Sequence, residues 1–267
     1  MTTFEELGIP FPLFEAPAEE AVKFRPRGHC SVCWLLPTPC FRFGLGSNVI
    51  VRCRSCKTPH ALDAFDQERT FCRSCGRKIR FPRFEELWDF IGPKRKQTID
   101  VCYDCFRSGR GAVNKLTEYG VVTWESAQQG LIDGVPEDAA CPLRIVNLGW
   151  ARRGARADAQ ALVELVHTPT YCSWATPVWL FCCGEPMVYA GAWSKEQLQL
   201  AASDGDGKVL LANTVTDRRS LVHDVLWHDG FGYSPRVYVF RCPRCGRLRA
   251  NWDQAPALAQ AHRVVRQ

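Results

Sequence analysis

The stretch that decides the fold is Val101-Cys102-Tyr103-Asp104-Cys105-Phe106, which is followed by Arg107-Ser108-Gly109-Arg110-Gly111. It is a Cys-x-x-Cys knuckle and is predicted to lie on a tight turn. One knuckle provides two thiolates, whereas a structural zinc ion takes four ligands in a tetrahedron. These two cysteines therefore need two partners elsewhere in the chain, and the identity of those partners determines much of the architecture.

The cysteine content indicates metal binding. The chain has 267 residues and 15 cysteines, and ten of these lie in five Cys-x-x-Cys pairs. The first residues carry Glu5 and Glu6 where an export signal would be basic and apolar, and no run of about 18 apolar residues predicts a membrane span. We therefore expect a cytoplasmic protein, in which repeated Cys-x-x-Cys pairs favour zinc over disulfides or a redox site.

The spacing of the knuckles predicts two of the zinc sites. Fifteen residues separate Cys56 from Cys72, which is the spacing of a zinc ribbon. The ribbon site then consists of Cys53, Cys56, Cys72 and Cys75, within residues of about 50–80. An outer site remains for the other two knuckles, and its ligands are Cys30, Cys33, Cys102 and Cys105.

A third site is predicted around the last knuckle, Cys242 and Cys245. Cys182 and Cys183 lie at the end of a predicted strand before Gly184, and Cys183 is the preferred partner. The fourth ligand stays open between Cys182, a histidine and Cys172. The remaining cysteines, Cys40, Cys141 and Cys172, are interpreted as buried thiols. The sequence thus predicts about three structural Zn²⁺ ions.

Local patterns predict an α+β protein with small antiparallel sheets and short helices. Helices are predicted at 84–91, at 124–130 after an N-cap at Thr123, at 158–167, and after a capping box formed by Ser194 and Gln197. Strands are predicted as a hairpin within 41–51, as two strands within 177–190, and at 208–212, 236–241 and 247–253. Residues 131–157 are predicted to form a surface loop, and Trp174, Trp179 and Trp193 to lie in the core.

Three regions follow from these patterns. Residues 1–29 form an N-terminal arm, either partly packed through Phe4, Phe11, Phe14 and Phe24 or loosely ordered. Residues 30–110 form the zinc-knuckle region with the inserted ribbon. Residues 111–267 form the α+β body with the C-terminal zinc site.

The net charge gives little support for a polyanionic partner. The formal value is +6. Zinc-bound cysteines are deprotonated, so each four-cysteine zinc site contributes about −2, and three such sites bring the total close to zero.

Several motifs resemble the CbrC family (UPF0167), which is named for a colicin-tolerance protein. The resemblance starts at Cys102-Tyr-Asp-Cys-Phe-Arg-Ser-Gly-Arg-Gly-Ala and covers about residues 28–35 and 100–253. Its further motifs are Thr117-Glu-Tyr-Gly-Val-Val, Trp124-Glu, Leu165-Val-His-Thr-Pro-Thr-Tyr, Trp174, Trp179-Leu-Phe-Cys-Cys-Gly-Glu-Pro-Met, Tyr238-Val-Phe-Arg-Cys, Cys245-Gly and Trp252-Asp.

The resemblance implies protection of a bacterium from a toxin, because members are similar to immunity proteins found beside antibacterial effectors, some of them nucleases. Residues of about 49–82 depart from the family pattern and look like an insertion that carries the ribbon. Met187 stands where some relatives have a ligand-like cysteine, and Cys182 stands where a histidine is often found. The resemblance supplies no catalytic residues.

The favoured hypothesis is a non-catalytic zinc-binding immunity-type protein that binds an antibacterial toxin or effector, with a DNase as one candidate partner. A nuclease presents a cationic or metal-loaded cleft, so the acidic residues between the ribbon knuckles, Asp63, Asp66 and Glu68, are nominated as partner-binding. They are also typical of a solvated loop.

The alternative is a nucleic-acid-binding zinc-ribbon protein. It rests on the basic residues near the ribbon, which are Arg54, Arg73, Arg77, Lys78, Arg80 and Arg83. A hydrolase built on His223 and His228, near Asp224 and Asp229, ranks third, because the sequence carries none of the common catalytic motifs.

Overall fold

The computed structural model describes residues 2–44, 46–63, 71–79, 99–137, 141–149, 152–215 and 235–254. These residues form an α+β protein of short strands and short helices, which confirms the predicted fold class. The strands are β1 (Phe24–Gly28), β2 (Thr38–Phe43), β3 (Ser47–Arg52), β4 (Pro59–Asp63), β5 (Ile99–Cys102), β6 (Gly111–Val113), β7 (Lys115–Thr117), β8 (Gly120–Val122), β9 (Leu131–Asp133), β10 (Arg144–Asn147), β11 (Arg153–Arg156), β12 (Val178–Trp179), β13 (Phe181–Cys182), β14 (Glu185–Pro186), β15 (Val188–Trp193), β16 (Pro235–Arg241) and β17 (Leu248–Gln254). The helices are α1 (Tyr103–Cys105), α2 (Trp124–Gln128), α3 (Ala159–Val166), α4 (Lys195–Ala201) and α5 (Gly207–Thr214), with a 3₁₀ turn at Ala18–Glu20 and a π-helical turn at Phe106–Arg110.

The contacts divide the chain into two compact units. Unit 1 comprises Met1–Glu20, Leu116–Glu118 and Tyr171–Gln267. Unit 2 comprises Ala21–Lys115 and Tyr119–Thr170.

Unit 2 is built from three antiparallel groups of strands. Strand β2 lies between β1 and β5, and β3 lies between β4 and β6. The third group runs β8–β9–β11–β10. Buried aromatic rings of Phe41, Phe43 and Phe106 pack under the first two groups, with ring centroids 5.1–5.6 Å apart.

Unit 1 is organised around the antiparallel sheet β15–β16–β17. One face of this sheet packs on a cluster of fully buried rings, which are Tyr171, Trp179, Tyr189, Tyr238 and Phe240. A second cluster joins the sheet to helices α4 and α5 through Leu198, Leu211, Val215, Val237, Val239 and Ala250.

The predicted N-terminal arm is divided: residues up to Glu20 belong to unit 1, whereas Phe24–Gly28 form strand β1 of unit 2. Phe4, Phe11 and Phe14 are buried, and the ring of Phe14 lies 5.1 Å from that of Tyr189. The carboxylate of Glu20 accepts hydrogen bonds from the Tyr189 hydroxyl at 2.6 Å and from the Ala192 N–H at 2.8 Å. The packed alternative therefore holds for Phe4, Phe11 and Phe14, whereas Phe24 is partly buried in strand β1.

Several local predictions are confirmed, and those of two helices rest on their caps, at Thr123 and at Ser194. Thr123 caps α2, Asp158 caps α3, and Ser194 and Gln197 form a capping box at α4. The strands predicted near 236–241 and 247–253 are β16 and β17. The helix predicted at 84–91 lies outside the described residues.

Two predictions of secondary structure after residue 130 are wrong. Residues 208–212 belong to helix α5, because Asp206 accepts hydrogen bonds from the N–H groups of Lys208 and Val209 and so starts a helix. Residues 131–157 contain strands β9, β10 and β11 rather than a loop.

The hairpin predicted within 41–51 does not form, since β2 and β3 pair with different strands. Among the tryptophans, Trp179 is buried as predicted, and Trp193 is partly buried and packs against the cluster between the sheet and the helices. Trp174 is 42% exposed, so its predicted place in the core is wrong. None of the helices in the described part of the chain has the length and hydrophobicity needed to span a bilayer.

Candidate metal centres

Four of the five Cys-x-x-Cys knuckles share one backbone geometry. In each, the residue after the second cysteine donates its N–H to the carbonyl of the first cysteine: Trp34 to Cys30 (2.8 Å), Lys57 to Cys53 (2.9 Å), Gly76 to Cys72 (2.8 Å) and Gly246 to Cys242 (3.0 Å). That residue has a positive φ of 63–70° in all four. The turn tilts both sulfur atoms toward one point.

The central knuckle, Cys102 and Cys105, differs from these and corrects the predicted tight turn. Cys102 ends strand β5, and the chain then enters α1 and the π-helical turn. Strand pairing places Cys102 opposite Cys40, and the Cys102 N–H donates to Cys30 Sγ at 3.3 Å. The sheet therefore sets the position of this knuckle.

The outer site brings Cys30, Cys33, Cys102 and Cys105 together within unit 2. Cys33 Sγ lies 3.6 Å from Cys102 Sγ. Three of the four cysteines are buried, and Cys33 is exposed.

The ribbon site brings Cys53, Cys56, Cys72 and Cys75 together, also within unit 2. The sulfur atoms of Cys53 and Cys75 are 3.7 Å apart, and those of Cys56 and Cys72 are 3.4 Å apart. Arg77 Nη1 donates to Ser55 Oγ at 2.8 Å, which joins the two knuckles across the site.

The C-terminal site lies within unit 1 and uses both adjacent cysteines, Cys182 and Cys183, with Cys242 and Cys245. Cys183 and Gly184 form the hairpin turn between β13 and β14, and both have positive φ, 52° and 82°. A turn of this kind matches the twist of the strands it joins. It places Cys182 Sγ 3.8 Å from Cys183 Sγ and 3.7 Å from Cys245 Sγ.

The remaining cysteines stand outside the three groups. Cys40 is buried, as predicted, but Cys141 and Cys172 are only partly buried. Met187 is fully buried, and its carbonyl accepts from Trp179 Nε1 at 2.8 Å, so it is part of the core of unit 1.

The sulfur geometry fits a tetrahedral metal ion. A Zn–S bond of about 2.3 Å in a regular tetrahedron separates the sulfurs by about 3.8 Å. The observed separations of 3.4–3.8 Å match this value and are far longer than a disulfide bond. Tetrahedral sulfur sets suit zinc or iron–sulfur chemistry, and zinc is the ion expected for ribbon-type knuckles.

The pKa values of the clustered thiols are also consistent with a bound cation. Burial, followed by hydrogen bonding to Cys242 and Cys245, raises the pKa of Cys182 to about 12. In the same site, the backbone N–H of Arg247, followed by the Cys242 thiol, lowers the pKa of Cys245 to about 7. One thiol of the group thus ionises readily, whereas the burial of its neighbour favours the protonated thiol, and a bound divalent cation would stabilise both as thiolates.

The other nominated residues fall largely outside the described residues. Asp63 ends strand β4, but its side chain is not described. Asp66, Glu68, His223 and His228 lie outside the described ranges.

An ion pair that the sequence did not predict supports the C-terminal site. Arg249 donates to both carboxylate oxygens of Glu118, at 2.6 and 2.9 Å. The Phe181 N–H donates to Glu118 Oε1 at 2.7 Å, and Arg249 Nη1 donates to the Phe181 carbonyl at 2.5 Å. No local sequence pattern indicates this pair, because its members are 131 residues apart.

A family model described as an uncharacterised protein family, UPF0167, matches residues 54–254. The chain belongs to this family. The part matched by UPF0167 contains nine of the twelve clustered cysteines and leaves out Cys30, Cys33 and Cys53. It also runs through most of the ribbon, so the interpretation of the ribbon as an insertion stays a prediction, as does the CbrC name. No curated protein and no solved structure matches the chain.

Proposed function

We propose that this protein is a non-catalytic, zinc-stapled binding protein of the immunity type, which binds and neutralises an antibacterial toxin or effector. The observation that carries the non-catalytic part is the composition of the three sites. Each offers four cysteine sulfurs within 4.8 Å of one another, so every tetrahedral position has a protein ligand. A catalytic zinc keeps one position for water or substrate.

The sites supply rigidity instead. Zinc binding to such knuckles contributes on the order of 10 kcal/mol to folding in isolated modules. The loops held by the metal lose little conformational entropy when a partner binds, and this improves affinity. The proposal of a toxin as the partner follows from the family resemblance. The proposed contact consists of the acidic residues between the ribbon knuckles, Asp63, Asp66 and Glu68.

The experiment is native mass spectrometry of the zinc-loaded protein, alone and with the product of the adjacent gene. A one-to-one complex supports the proposal, and its absence at micromolar concentration contradicts it. The triple variant Asp63→Ala, Asp66→Ala, Glu68→Ala should weaken the complex if the toxin presents a cationic face. The matched control replaces three exposed glutamates elsewhere, Glu5, Glu19 and Glu125, with Ala and should leave the complex intact.

Nucleic-acid binding is the second candidate. Arg54, Arg73 and Arg77 of the ribbon knuckles are exposed, whereas Arg80 and Arg83 lie outside the described residues. Its test is the salt dependence of oligonucleotide binding, which is steep for contacts to phosphate.

A further inference from the structure

Unit 2 contains a cavity of about 810 Å³ beside the first knuckle of its outer metal site. Its walls come from the first knuckle, strand β3, the start of the ribbon, the π-helical turn and helix α2. The side chains that matter here are Trp34, Arg52, Arg54, Arg110 and Trp124. The volume lies within the range of about 300–1,000 Å³ that is typical of sites for small ligands.

The arginines that line this cavity give it a positive charge. Arg52, Arg54 and Arg110 line it, and no aspartate or glutamate of the described chain does. All three arginines are exposed, and none makes an ion pair with another described residue. The neighbouring zinc site carries about −2 spread over four sulfurs, of which only Cys33 lines the cavity, so the three guanidinium groups dominate the local charge.

Trp34 has a left-handed backbone conformation, which is unfavourable for a residue with a side chain. Its φ is +69°, at the knuckle position where the last two knuckles of this type have Gly76 and Gly246. The positive φ belongs to the knuckle turn, since Lys57 shares it, and a side chain at this position costs about 1–2 kcal/mol. The indole is oriented in part by His29, whose ring centroid lies 5.2 Å away.

The second indole and the apolar wall complete the site. Trp124, the first residue of α2, is half-buried, and Val49, Val51 and Pro59 line the side formed by β3 and β4. Aromatic rings next to arginines are the combination that proteins use to stack nucleobases and neutralise phosphates.

We infer that this cavity binds a nucleotide unit of a single-stranded nucleic acid, with the base against the indoles and the phosphates on Arg52, Arg54 and Arg110. The inference rests on the second candidate function, for which it names the site, and it leaves the toxin proposal untouched. A free nucleotide carries the same chemistry as one unit of a strand, so the test includes both.

The decisive variant is Trp34→Gly in the full-length, zinc-loaded protein. Glycine is the residue that the last two knuckles already use at this position, so the turn keeps its geometry while the indole is lost. The matched control is Lys57→Gly, which makes the same change in the adjacent knuckle, at a residue that does not line the cavity. Metal content is measured for both variants.

Binding is measured by fluorescence anisotropy with fluorescein-labelled twelve-residue oligo(dT) and oligo(U), and by calorimetry with UMP. We expect Trp34→Gly to weaken oligonucleotide binding about tenfold or more and Lys57→Gly to change it less than twofold. The plot of log affinity against log salt should lose about 2 units of slope in the triple variant Arg52→Gln, Arg54→Gln, Arg110→Gln, because each neutralised phosphate on a single strand contributes about 0.7.

The possible results distinguish nucleotide binding in this cavity from nucleic-acid binding elsewhere on the protein. If oligonucleotide binding weakens equally in Trp34→Gly and Lys57→Gly, or in neither variant, the cavity is not the binding site. The broader proposal of nucleic-acid binding then still stands. No binding of any oligonucleotide overturns both. Binding of UMP as tight as that of the oligonucleotides assigns the cavity to free nucleotides, whereas tighter binding of a twelve-residue polyglutamate peptide overturns the nucleotide assignment. If Trp34→Gly does not retain zinc, the single variant Arg110→Gln is tested in its place. A loss of oligonucleotide affinity of at least threefold then supports the proposal, and a smaller loss contradicts it.

Discussion

Glu118 and Arg249 form a two-bonded ion pair that also holds both backbone polar groups of Phe181, the residue immediately before the ligand Cys182. Both side chains are largely buried, with 18% and 24% exposure. The pair therefore connects strand β17 to the hairpin that supplies two of the sulfurs of the C-terminal site. Its geometry makes it a positioning element for that site.

We expect Glu118→Gln to destabilise unit 1 by about 2 kcal/mol. The change removes a charge-assisted contact and leaves the largely buried guanidinium of Arg249 without its counter-charge. The measurement is urea unfolding followed by near-ultraviolet circular dichroism, together with the rate of zinc release to a chromogenic chelator. The matched control is Glu185→Gln on the same hairpin. Its partner Arg244 is 62% exposed, so the loss there should stay below about 1 kcal/mol. Equal losses in the two variants would contradict the positioning role.

Metal analysis should give three ions per chain, with zinc rather than iron. Cys245→Ser should remove one of them, since serine does not replace a thiolate in a tetrahedral sulfur site. Cys172→Ser is the control, because Cys172 lies outside the three sulfur groups, and it should retain all three ions. Loss of an ion in the control, or three ions in Cys245→Ser, would show that the ligand set is different.

How much of this could be predicted from sequence depends on the range of each interaction. The sulfur groups were found because knuckle spacing reports the metal site directly, and the caps at Thr123 and Ser194 are formed by residues three positions apart. Strands β10 and β11 escape the sequence prediction because each has only four residues and together they carry three arginines, so the apolar pattern is weak. Long-range pairing specifies them, and β11 lies between β10 and β9.

The errors at helix α5 and at Trp174 have the same origin. The five residues Lys208–Ala212 are mostly apolar, and an apolar run this short fits either a strand or a helix. The Asp206 cap decides between the two. The prediction of a core position for Trp174 rests on residue type and not on any local pattern. In the structure, Asp253 accepts from the Trp174 N–H at 2.6 Å and Arg236 lies 5.8 Å from the centroid of its ring, and both residues are far away in sequence.

The knuckle turns give a prediction about backbone strain. Gly76 has a φ of +69°, and a Cβ at this position would meet no atom within 4 Å. Gly76→Ala therefore tests the conformational penalty alone and should destabilise the ribbon by about 1 kcal/mol. Lys57→Gly, at φ +63° in the partner knuckle, should stabilise it by up to about 1 kcal/mol. The measurement is the chelator concentration that removes half of the ribbon zinc, and shifts of the same sign in the two variants would contradict the argument.

A buried histidine makes the stability of unit 2 dependent on pH. His167 follows helix α3, is 8% exposed, and its Nε2 has no hydrogen-bond partner among the described residues. Burial, followed by the positive charge of Arg107, lowers the pKa of His167 below its usual value of 6.5. The unfolded chain therefore binds a proton at a higher pH than the folded one. The stability due to neutral His167 is fully present above about pH 6.5 and is lost as the pH falls from there toward the lowered folded pKa.

The comparison that isolates this effect is wild type against His167→Phe, which keeps a ring beside Phe106 but cannot titrate. The difference in unfolding free energy between the two proteins should be constant between pH 7 and 8. Below about pH 6.5 it should shift against the wild type by up to about 1.4 kcal/mol per pH unit. Acid also weakens the zinc sites, but that loss is common to both proteins and cancels in the difference. A difference that stays flat from pH 8 to pH 5.5 would mean that His167 takes up its proton in the folded state as readily as in the unfolded chain.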